Sequence, residues 1–367
     1  EISCSLVGSE MCIRDSHFRV SSTGNTALKK SKLSKKSLVA VICVAAAALV
    51  VTALLIINIF FPIRYISSWF VSGKKPAEDS FQLRILDVGN ADCAIASLPG
   101  GKVMLIDGGD GTYTSTLKIL TELNRIDADF IDYVICTSVS REHCGGLAEI
   151  IGVKGAGKIY YPYCENRYIN SSYAEFMTAA QSCGAQLAIS EYGAGEESGD
   201  FFFTFLSPDV HTAPGGEYEA LNDDNSQENI DAASAVIWME YEGRGVLYTS
   251  DATNTVLNKL ADEYQLLTSS GEGLSFRGHE IDFSDCAIYK VAGHGSEGCH
   301  SQPLLSLISP DISVISVGED NTYGCPSAQV MADLVACSRM YITMYRGDIT
   351  MEISRSGDVT LAASRGE

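Results

Sequence analysis

The pattern of hydrophobic and polar positions divides the chain into two regions. Leu38 to Phe61 is a run of 24 residues without a charged side chain, interrupted only by the polar Thr52 and Asn58. As a helix rising 1.5 Å per residue, this run is about 36 Å long, enough to cross a hydrocarbon core of about 30 Å. From Phe81 onward, short apolar runs alternate with turn residues, which predicts a folded domain.

The flanking sequence predicts how these regions are organised. Residues 1–16 are interpreted as a sequencing-library scar, because Glu10–Ser16 resembles a translated adaptor end; a natural flexible terminus is the alternative. More basic residues precede the apolar run than follow it, so the positive-inside rule predicts a membrane protein with a cytoplasmic N-terminus and an extracytoplasmic domain. No small-x-small site follows the run, which favours an uncleaved anchor over a signal peptide. The predicted segments are the scar (1–16), a basic cytoplasmic tail (17–37), a transmembrane helix (38–61), a juxtamembrane linker (62–80) and the domain (81–367).

Within the domain, the apolar spacing predicts an α/β fold with sheets covered by helices. Tyr113–Arg125 has helical spacing, and a turn at 99–101 is expected to join the first two strands. Residues 209–234 form a polar, acidic stretch that is either a surface loop near a site or disordered. Strands are predicted at Gln82–Val88, Val103–Ile106, Ile131–Thr137, Ala235–Tyr241 and Gly245–Thr249.

Charge and cysteine content narrow the possible functions. The chain has 26 basic and 46 acidic side chains and therefore a formal charge of −20. Beyond residue 72 there are 18 basic and 43 acidic side chains. A surface this acidic repels polyphosphate, which argues against tight, non-specific binding of nucleic acid.

None of the 12 cysteines falls in a CxxC zinc-ribbon pattern, and those of the domain are interpreted mostly as buried thiols.

Candidate chemistry lies in loops that follow predicted strands. Side chains at a strand end project toward a cleft, where ligands usually bind. Six such motifs follow one another along the chain: Leu86–Cys93 (LDVGNADC), Leu105–Gly109 (LIDGG), Thr137–Gly146 (TSVSREHCGG), Tyr248–Ala252 (YTSDA), Lys290–Ser296 (KVAGHGS) and Asn321–Pro326 (NTYGCP). In this order they resemble the metallo-β-lactamase-fold domain found at the C-terminus of ComEC competence proteins and in stand-alone relatives.

This resemblance implies a four-layer αββα sandwich in a bacterial protein. The apolar run at Leu38–Phe61 adds one transmembrane helix before it, in the bacterial cell membrane. The resemblance also implies a metal cleft at the strand ends, where metal-bound water hydrolyses phosphodiesters such as nucleic acid. The family motifs read roughly DVGQGDS, LIDGG, THxHxDHxGG, TGDA, HHGS and YGHP, and this chain departs from them at ligand positions. The two His of HxHxDH are Ser138 and Ser140, the Asp is Glu142, the first His of HHGS is Gly293, and the His of YGHP is Cys325.

These departures predict a degenerate metal centre. Neutral serine hydroxyls are poor zinc ligands, so the position that the first two His would build is expected to be empty. The other position would hold at most one zinc or manganese ion through the metal ligands Glu142, His143, Asp251 and, as a fourth, His294. Catalytic roles implied by the resemblance then fall to Asp251 and His143. If no ion binds, Asp251 is expected to hydrogen-bond the His143 ring.

The remaining motif residues are interpreted as structural residues of the cleft. Asp87 and Asp107 are expected to cap loop amides, because carboxylates readily accept hydrogen bonds from nearby backbone N–H groups. Gly108 and Gly109 permit turns that a Cβ would obstruct.

Three functions remain open from the sequence. One is a surface-tethered, single-metal phosphodiesterase, and another is a non-catalytic binding or scaffolding module. The third, an accessory role in DNA uptake, rests on family resemblance alone, and one membrane span provides no multi-helix channel. The exchanged ligands favour impaired or absent chemistry and therefore the second function. The membrane is the one partner that the sequence indicates directly.

Overall fold

The computed structural model describes residues 34–60, 63–165, 169–209 and 216–366. It separates into two compact units that divide at Ile56. Helix α1 (Lys35–Phe60), which overlaps the predicted transmembrane segment, lies in the first unit as far as Ile56. From Lys35 to Ile56 this helix is long and apolar enough to cross a membrane, a property that membrane spans share with N-terminal signal sequences.

The second unit is a mixed α/β domain. Its strands are β1 (Ser80–Ile85), β2 (Ala94–Ser97), β3 (Val103–Ile106), β4 (Ile131–Ile135), β5 (Ala156–Tyr161), β6 (Gln186–Ile189), β7 (Gly195–Ser198), β8 (Phe201–Ser207), β9 (Val236–Tyr241), β10 (Arg244–Tyr248), β11 (Leu274–Phe276), β12 (His279–Ile281), β13 (Cys286–Lys290), β14 (Ile312–Ile315), β15 (Arg339–Ile342), β16 (Ile349–Ser354) and β17 (Val359–Ala363). Its α-helices are α2 (Tyr113–Arg125), α3 (Arg141–Cys144), α4 (Leu147–Lys154), α5 (Ser171–Ser182), α6 (Glu217–Asp223), α7 (Gln227–Ala232), α8 (Asn254–Ser270), α9 (Gln302–Ile308), α10 (Ala328–Cys337) and α11 (Thr343–Arg346). Short 3-10 helices lie at Ile63–Phe70, Phe283–Asp285, Gly293–Gly295 and Glu297–Cys299.

Two large sheets organise the domain. Across the described ranges, the first has the strand order β17-β16-β1-β2-β3-β4-β5-β6 and the second β15-β14-β13-β10-β9-β8-β7. Strands β3 to β6 are parallel neighbours in the first sheet, as are β10, β13, β14 and β15 in the second. Parallel strands place their carboxyl ends along one edge of a sheet, so the loops after them converge there.

The two sheets pack face to face through a shared apolar core. Phe81 of β1 stacks on Phe201 of β8 with ring centroids 5.3 Å apart, and Tyr160 of β5 meets Phe203 of β8 edge-on at 5.6 Å. Each such buried aromatic ring contributes about 1.5–3 kcal/mol through removal of its surface from water. Helices α2, α4 and α5 cover the outer face of the first sheet, and α8, α9 and α10 cover that of the second. The layers therefore run helix, sheet, sheet, helix, which confirms the predicted αββα sandwich.

Part of the predicted juxtamembrane linker packs against this domain. In the 3-10 helix at Ile63–Phe70, the Tyr65 ring stacks on Tyr113 with centroids 5.6 Å apart, and its hydroxyl donates to a Glu149 carboxylate oxygen. The Asn124 amide donates to the Ser68 carbonyl at 2.6 Å. The chain is thereby fixed to helices α2 and α4 before β1 begins.

The polar stretch at 209–234 contains helices α6 and α7. Tyr218 and Leu221 of α6 and Ile230 of α7 are buried, so both helices pack on the domain. Residues 210–215, including His211, lie outside the described residues. Of the two interpretations open from the sequence, a surface segment near a site fits the observed helices.

Candidate functional site

The predicted site residues lie in loops at the converging strand ends of both sheets. Asp107 follows β3, His143 lies in the loop and short helix after β4, Asp251 follows β10, and His294 follows β13. Because the sandwich brings these edges of its two sheets together, residues up to 187 positions apart in the chain meet in one place.

His143 occupies the centre of this cluster and is fully buried. Its Nδ1 lies 2.9 Å from Oδ2 of Asp107, and its Nε2 lies 2.8 Å from Oδ2 of Asp251. With both ring nitrogens in contact with carboxyl oxygens, neither presents a free lone pair to the cleft.

Electrostatics favour a charged ring. Burial alone would lower the pKa of His143, but the charges of Asp251 and Asp107 and their hydrogen bonds outweigh it and raise that pKa well above 6.5. Although burial opposes it, the His143 charge and hydrogen bond lower the pKa of Asp251 below its usual value. The two carboxylates therefore favour the protonated form of the ring, in which neither nitrogen has a lone pair to accept a proton.

Asp107 accepts hydrogen bonds from the loop that follows β4. The Thr137 N–H donates to its Oδ1 at 2.8 Å and the Thr137 hydroxyl donates to its Oδ2 at 2.6 Å. Asp107 thus accepts hydrogen bonds from two donors of Thr137 and contacts the His143 ring, which favours its carboxylate form. Burial acts in the opposite direction and raises its pKa. Next to it, a Cβ on Gly108 would lie 2.7 Å from the Leu147 amide nitrogen, so the close approach of this turn to α4 requires glycine.

A second buried ion pair lies beside the His143 cluster. Lys290 and Asp92 are both fully buried, and the Lys290 ammonium donates to Oδ2 of Asp92. Burial raises the pKa of Asp92, but the charges of Lys290, His294 and His143 together outweigh this effect, and the net pKa is lowered. Both residues fall within the six motifs, yet sequence reasoning gave them no role. A lysine inside the apolar run of β13 was the available signal.

In front of these buried groups lies a cavity of about 330 Å³. The predicted ligands Glu142, Asp251 and His294 line it, whereas His143 is not among its lining residues and lies behind Asp251. Oδ1 of Asp251 is buried without a hydrogen-bond partner. The His294 Nδ1 donates to the Ser316 carbonyl at 2.6 Å, which leaves Nε2 as the acceptor nitrogen of that ring.

The four degenerate positions surround the same place. Ser138 is buried, and its hydroxyl accepts the Ser140 N–H at 3.3 Å, while the Ser140 hydroxyl lines the cavity without a partner. Cys325 also lines the cavity and is half-buried. Gly293 has φ +51°, and a Cβ there would lie 2.4 Å from Sγ of Cys299. The Cys299 thiol thus fills the space that a side chain at 293 would need.

Two positions differ from sequence reasoning. Asp87 pairs with Arg365, and its own amide is capped by Asp348 at 2.8 Å, so Asp87 does not line the cavity. Asp231 of α7 does line it, although the motifs do not include it. Burial raises the pKa of Asp231 to about 6, and the neighbouring charge of Asp251 adds to the shift.

A pair of metal ions does not fit these residues. Neutral serine hydroxyls, those of Ser138 and Ser140, stand at two of the implied ligand positions, and such hydroxyls are poor ligands for zinc. Within the described ranges, three ligand atoms approach within 4.8 Å of one another only at Asp92, Asp107 and His143. A single cation does fit, since Asp251 presents an unpartnered buried oxygen to the cavity.

Comparisons with known proteins give remote matches. No protein-family model matches the chain, and no curated protein does. It is 13% identical to the metallo-β-lactamase-fold protein YhfI from Bacillus subtilis, over 76% of this chain and 99% of that one, with a TM-score of 0.40. It is 12% identical to Igni18, a metallo hydrolase from Ignicoccus hospitalis, over 77% of this chain and 100% of that one, with a TM-score of 0.39.

A third solved structure is CmlA, a diiron β-hydroxylase from Streptomyces venezuelae. The identity is 12% over 76% of this chain, the TM-score is 0.41, and the chain spans 55% of the length of CmlA. The solved structures that resemble this chain thus include metallo-β-lactamase-fold and metal-dependent proteins. The αββα assignment itself rests on the sheets and layers of this domain.

Proposed function

We propose that this chain is a membrane-anchored, extracytoplasmic protein of the ComEC-like metallo-β-lactamase type whose cleft binds a ligand without two-metal hydrolysis. The supporting observation is the engagement of His143, whose ring nitrogens lie 2.9 and 2.8 Å from two carboxylates. With Asp107 and Asp251 both engaged by this ring, the buried carboxylates are held by the side chains of the chain itself. Ser138 and Ser140 add neutral hydroxyls where the resemblance implies two more ligands.

Helix α1 supports the proposed anchor. It has the length and composition of a membrane span, and lysines are concentrated before it. The excess of positive charge on that side supports a cytoplasmic N-terminus, which leaves the domain outside the membrane.

A second candidate is a single-metal phosphodiesterase, favoured by the buried, unpartnered Oδ1 of Asp251. When bound, one zinc or manganese ion would supply a Lewis acid and an activated water. Asp251 would hold it through Oδ1 while His143 fixes the other carboxylate oxygen, and Glu142 and His294 line the same cavity.

Metal content and turnover of the purified full chain separate these functions. The proposal predicts less than one equivalent of zinc or manganese, and hydrolysis of bis(4-nitrophenyl) phosphate no faster than in Asp251→Ala. The control is Asp262→Ala, which removes an exposed carboxylate of α8. One equivalent with turnover that only Asp251→Ala abolishes would establish the second candidate. Two equivalents with the same loss of turnover would contradict both.

A further inference from the structure

We propose that residues 63–72 and the helices behind them form a lipid-binding surface, which holds the domain on a membrane through a phospholipid with a zwitterionic, amine-bearing headgroup. This surface, the docking face, consists of the exposed side chains of Ile66, Trp69 and Phe70 and of the groove beside them. The inference rests on the anchoring part of the proposed function, because it states how the anchored domain meets the lipid. It involves none of the residues of the strand-end cleft.

The 3-10 helix of the docking face has one side packed on the domain and one side in solvent. Tyr65 and Ser68 are each 1% exposed and contact helices α2 and α4. By contrast, Ile66 and Trp69 are 43% and 44% exposed, and Phe70 is 83% exposed. Clustered apolar side chains that stay exposed on a firmly packed segment indicate a surface that contacts another apolar phase.

Chain length identifies that phase as lipid. Only Phe61 and Pro62 separate the end of α1 at Phe60 from the start of the 3-10 helix at Ile63. Three residue steps reach at most about 11 Å when fully extended. The headgroup region on each side of a bilayer is roughly 5–8 Å thick, so a span that ends at Phe60 brings the next residues to this region. Tryptophan is enriched at that depth, which fits Trp69.

A groove of about 500 Å³ lies beside these apolar side chains. Trp69, Leu120 of α2 and Val153 of α4 contribute apolar lining, and Asn124 and Lys154 contribute polar groups. Sites for small molecules typically combine an apolar wall with a few polar groups that fix the orientation of the ligand. The groove therefore has the composition expected for the headgroup end of an amphiphile.

Lys154 supplies a cation with hydrogen-bonding capacity to spare. Its side chain is 7% exposed, and its ammonium lies 4.0 Å from the Asp129 carboxylate. Within the described ranges its one hydrogen bond is the donation to Oδ1 of Asn124, which leaves two of its three N–H groups for a further acceptor. Burial lowers the pKa of Lys154 by more than the charges of Asp129 and Asp127 raise it. A lipid phosphate oxygen would satisfy this charge.

The charges around the groove favour a zwitterionic headgroup over an anionic one. Asp127 and Asp129 line the groove together with Lys154, and the chain beyond residue 72 has 18 basic and 43 acidic side chains. Such a domain repels anionic lipids and free phosphate. A phosphoethanolamine headgroup can instead place its phosphate against Lys154 and its ammonium against the two carboxylates. Its N–H groups are donors that a choline headgroup lacks, which favours phosphatidylethanolamine.

Tryptophan fluorescence of the full chain in vesicles of phosphatidylethanolamine and phosphatidylcholine tests the docking. The chain has two tryptophans, and Trp238 is fully buried, so quenching that disappears in Trp69→Phe reports Trp69. We expect lipids brominated close to the headgroup to quench Trp69, and aqueous acrylamide to quench it weakly. The control adds Leu266→Trp to the Trp69→Phe chain, because Leu266 is exposed on α8 over the other sheet. This reporter should respond to acrylamide and not to brominated lipid.

Retained lipid tests the headgroup site. The full chain is released from vesicles with equal amounts of phosphatidylethanolamine, phosphatidylcholine and phosphatidylglycerol, and its bound lipids are counted by native mass spectrometry. We expect phosphatidylethanolamine to be preferred, and Lys154→Gln to reduce this preference about 10-fold through loss of a hydrogen bond from a charged group. Lys259→Gln, which removes an exposed ammonium of α8, should leave the preference unchanged. The melting temperature of Lys154→Gln reports whether that variant is folded.

The possible failures separate this inference from the proposed function. In a chain that resists extraction from vesicles by alkaline carbonate, absence of quenching by brominated lipid would overturn the docking and leave the anchor intact. Equal retention of the three lipids, an unchanged preference in Lys154→Gln, or saturable binding of inorganic phosphate would each overturn the headgroup site. Release of the chain by carbonate would instead contradict the proposed anchor.

Discussion

The buried centre and the cavity wall carry similar carboxylates but differ in how these are neutralised. In the centre, Lys290 pairs with Asp92, and His143 lies between Asp107 and Asp251. On the wall, Glu142 and Asp231 face the cavity without a lysine or arginine among its described lining residues. Each carboxylate of the interior thus contacts a cationic side chain, whereas Glu142 and Asp231 face the cavity without one.

This difference follows from the cost of burial. An unpaired charge in a protein interior costs several kcal/mol, so a folded centre without ions needs internal cations. A carboxylate on a solvated wall costs much less and tolerates a missing partner. The centre therefore determines stability, and the wall determines binding.

The largest expected effect is the loss of the internal cation Lys290. Lys290→Met leaves Asp92 buried without its partner, and we expect the free energy of unfolding in urea to fall by about 3–5 kcal/mol. Adding Asp92→Asn should recover much of this loss. Lys259→Met breaks an exposed pair with Glu217 and should cost about 0–1 kcal/mol. Equal losses in the two lysine variants would remove the distinction between centre and surface.

The next effect concerns His143 and its pH dependence. Because its folded pKa is raised well above 6.5, its ion pairs contribute stability that is fully present below about pH 6.5 and is lost as pH rises through the folded pKa. His143→Gln should lower the free energy of unfolding by about 3 kcal/mol at pH 6 and abolish this alkaline loss. Urea unfolding between pH 6 and pH 10 measures both. Parallel pH profiles of the two proteins would show that the ring is neutral.

A smaller effect is expected at Gly293, where the centre meets the wall. Gly293→Ala places a Cβ against Cys299 at a positive φ, and we expect a loss of about 1–3 kcal/mol in unfolding free energy. Cys299→Ala in the same chain should relieve the steric part but not the backbone strain. Gly298→Ala meets no atom closer than 3.9 Å and is the control. Equal unfolding free energies for Gly293→Ala and Gly298→Ala would show that the space between Gly293 and Cys299 can accept a Cβ.

The smallest expected effect is a gain in unfolding free energy rather than a loss. Asp231 has a pKa raised to about 6, so in chelator its contribution makes the fold less stable as pH rises from about 4 to 6. Asp231→Asn should therefore raise the unfolding free energy at pH 7 by about 1 kcal/mol, after allowance for solvent screening. Glu228→Gln should not change it. Destabilisation by Asp231→Asn in chelator would show that this carboxylate is already satisfied.

Sequence patterns predicted several elements with their observed bounds because local signals coincided. Helix α2 matches the predicted Tyr113–Arg125, and the Thr112 hydroxyl caps it by accepting the Ser115 N–H at 3.3 Å. The predicted pairing of the first two strands was wrong. Strand β2 (Ala94–Ser97) lies between them, and it is this strand that joins β3 across the turn at 99–101. Four residues are too few to show a period.

The sequence predicted the site residues that belong to recognisable motifs. It did not predict contacts between residues that are far apart in the chain. Motif order predicted that Asp107, His143 and Asp251 lie at one cleft, and in the structure both carboxylates contact the His143 ring. The pairing of Asp92 with Lys290 spans 198 positions and depends on sheet topology that local patterns do not specify. Asp231 reaches the cavity through the packing of α7, in a stretch whose polar composition alone leaves a loop and a disordered segment equally open.

The protonation state of the His143 ring tests the central claim most directly. Nitrogen-15 NMR of the full chain, labelled at its six histidines, can assign this ring by comparison with His143→Gln. The account predicts that both nitrogens carry protons at pH 7.5 and that excess ZnCl₂ leaves their shifts unchanged. A neutral ring whose Nε2 resonance moves on addition of zinc would contradict it.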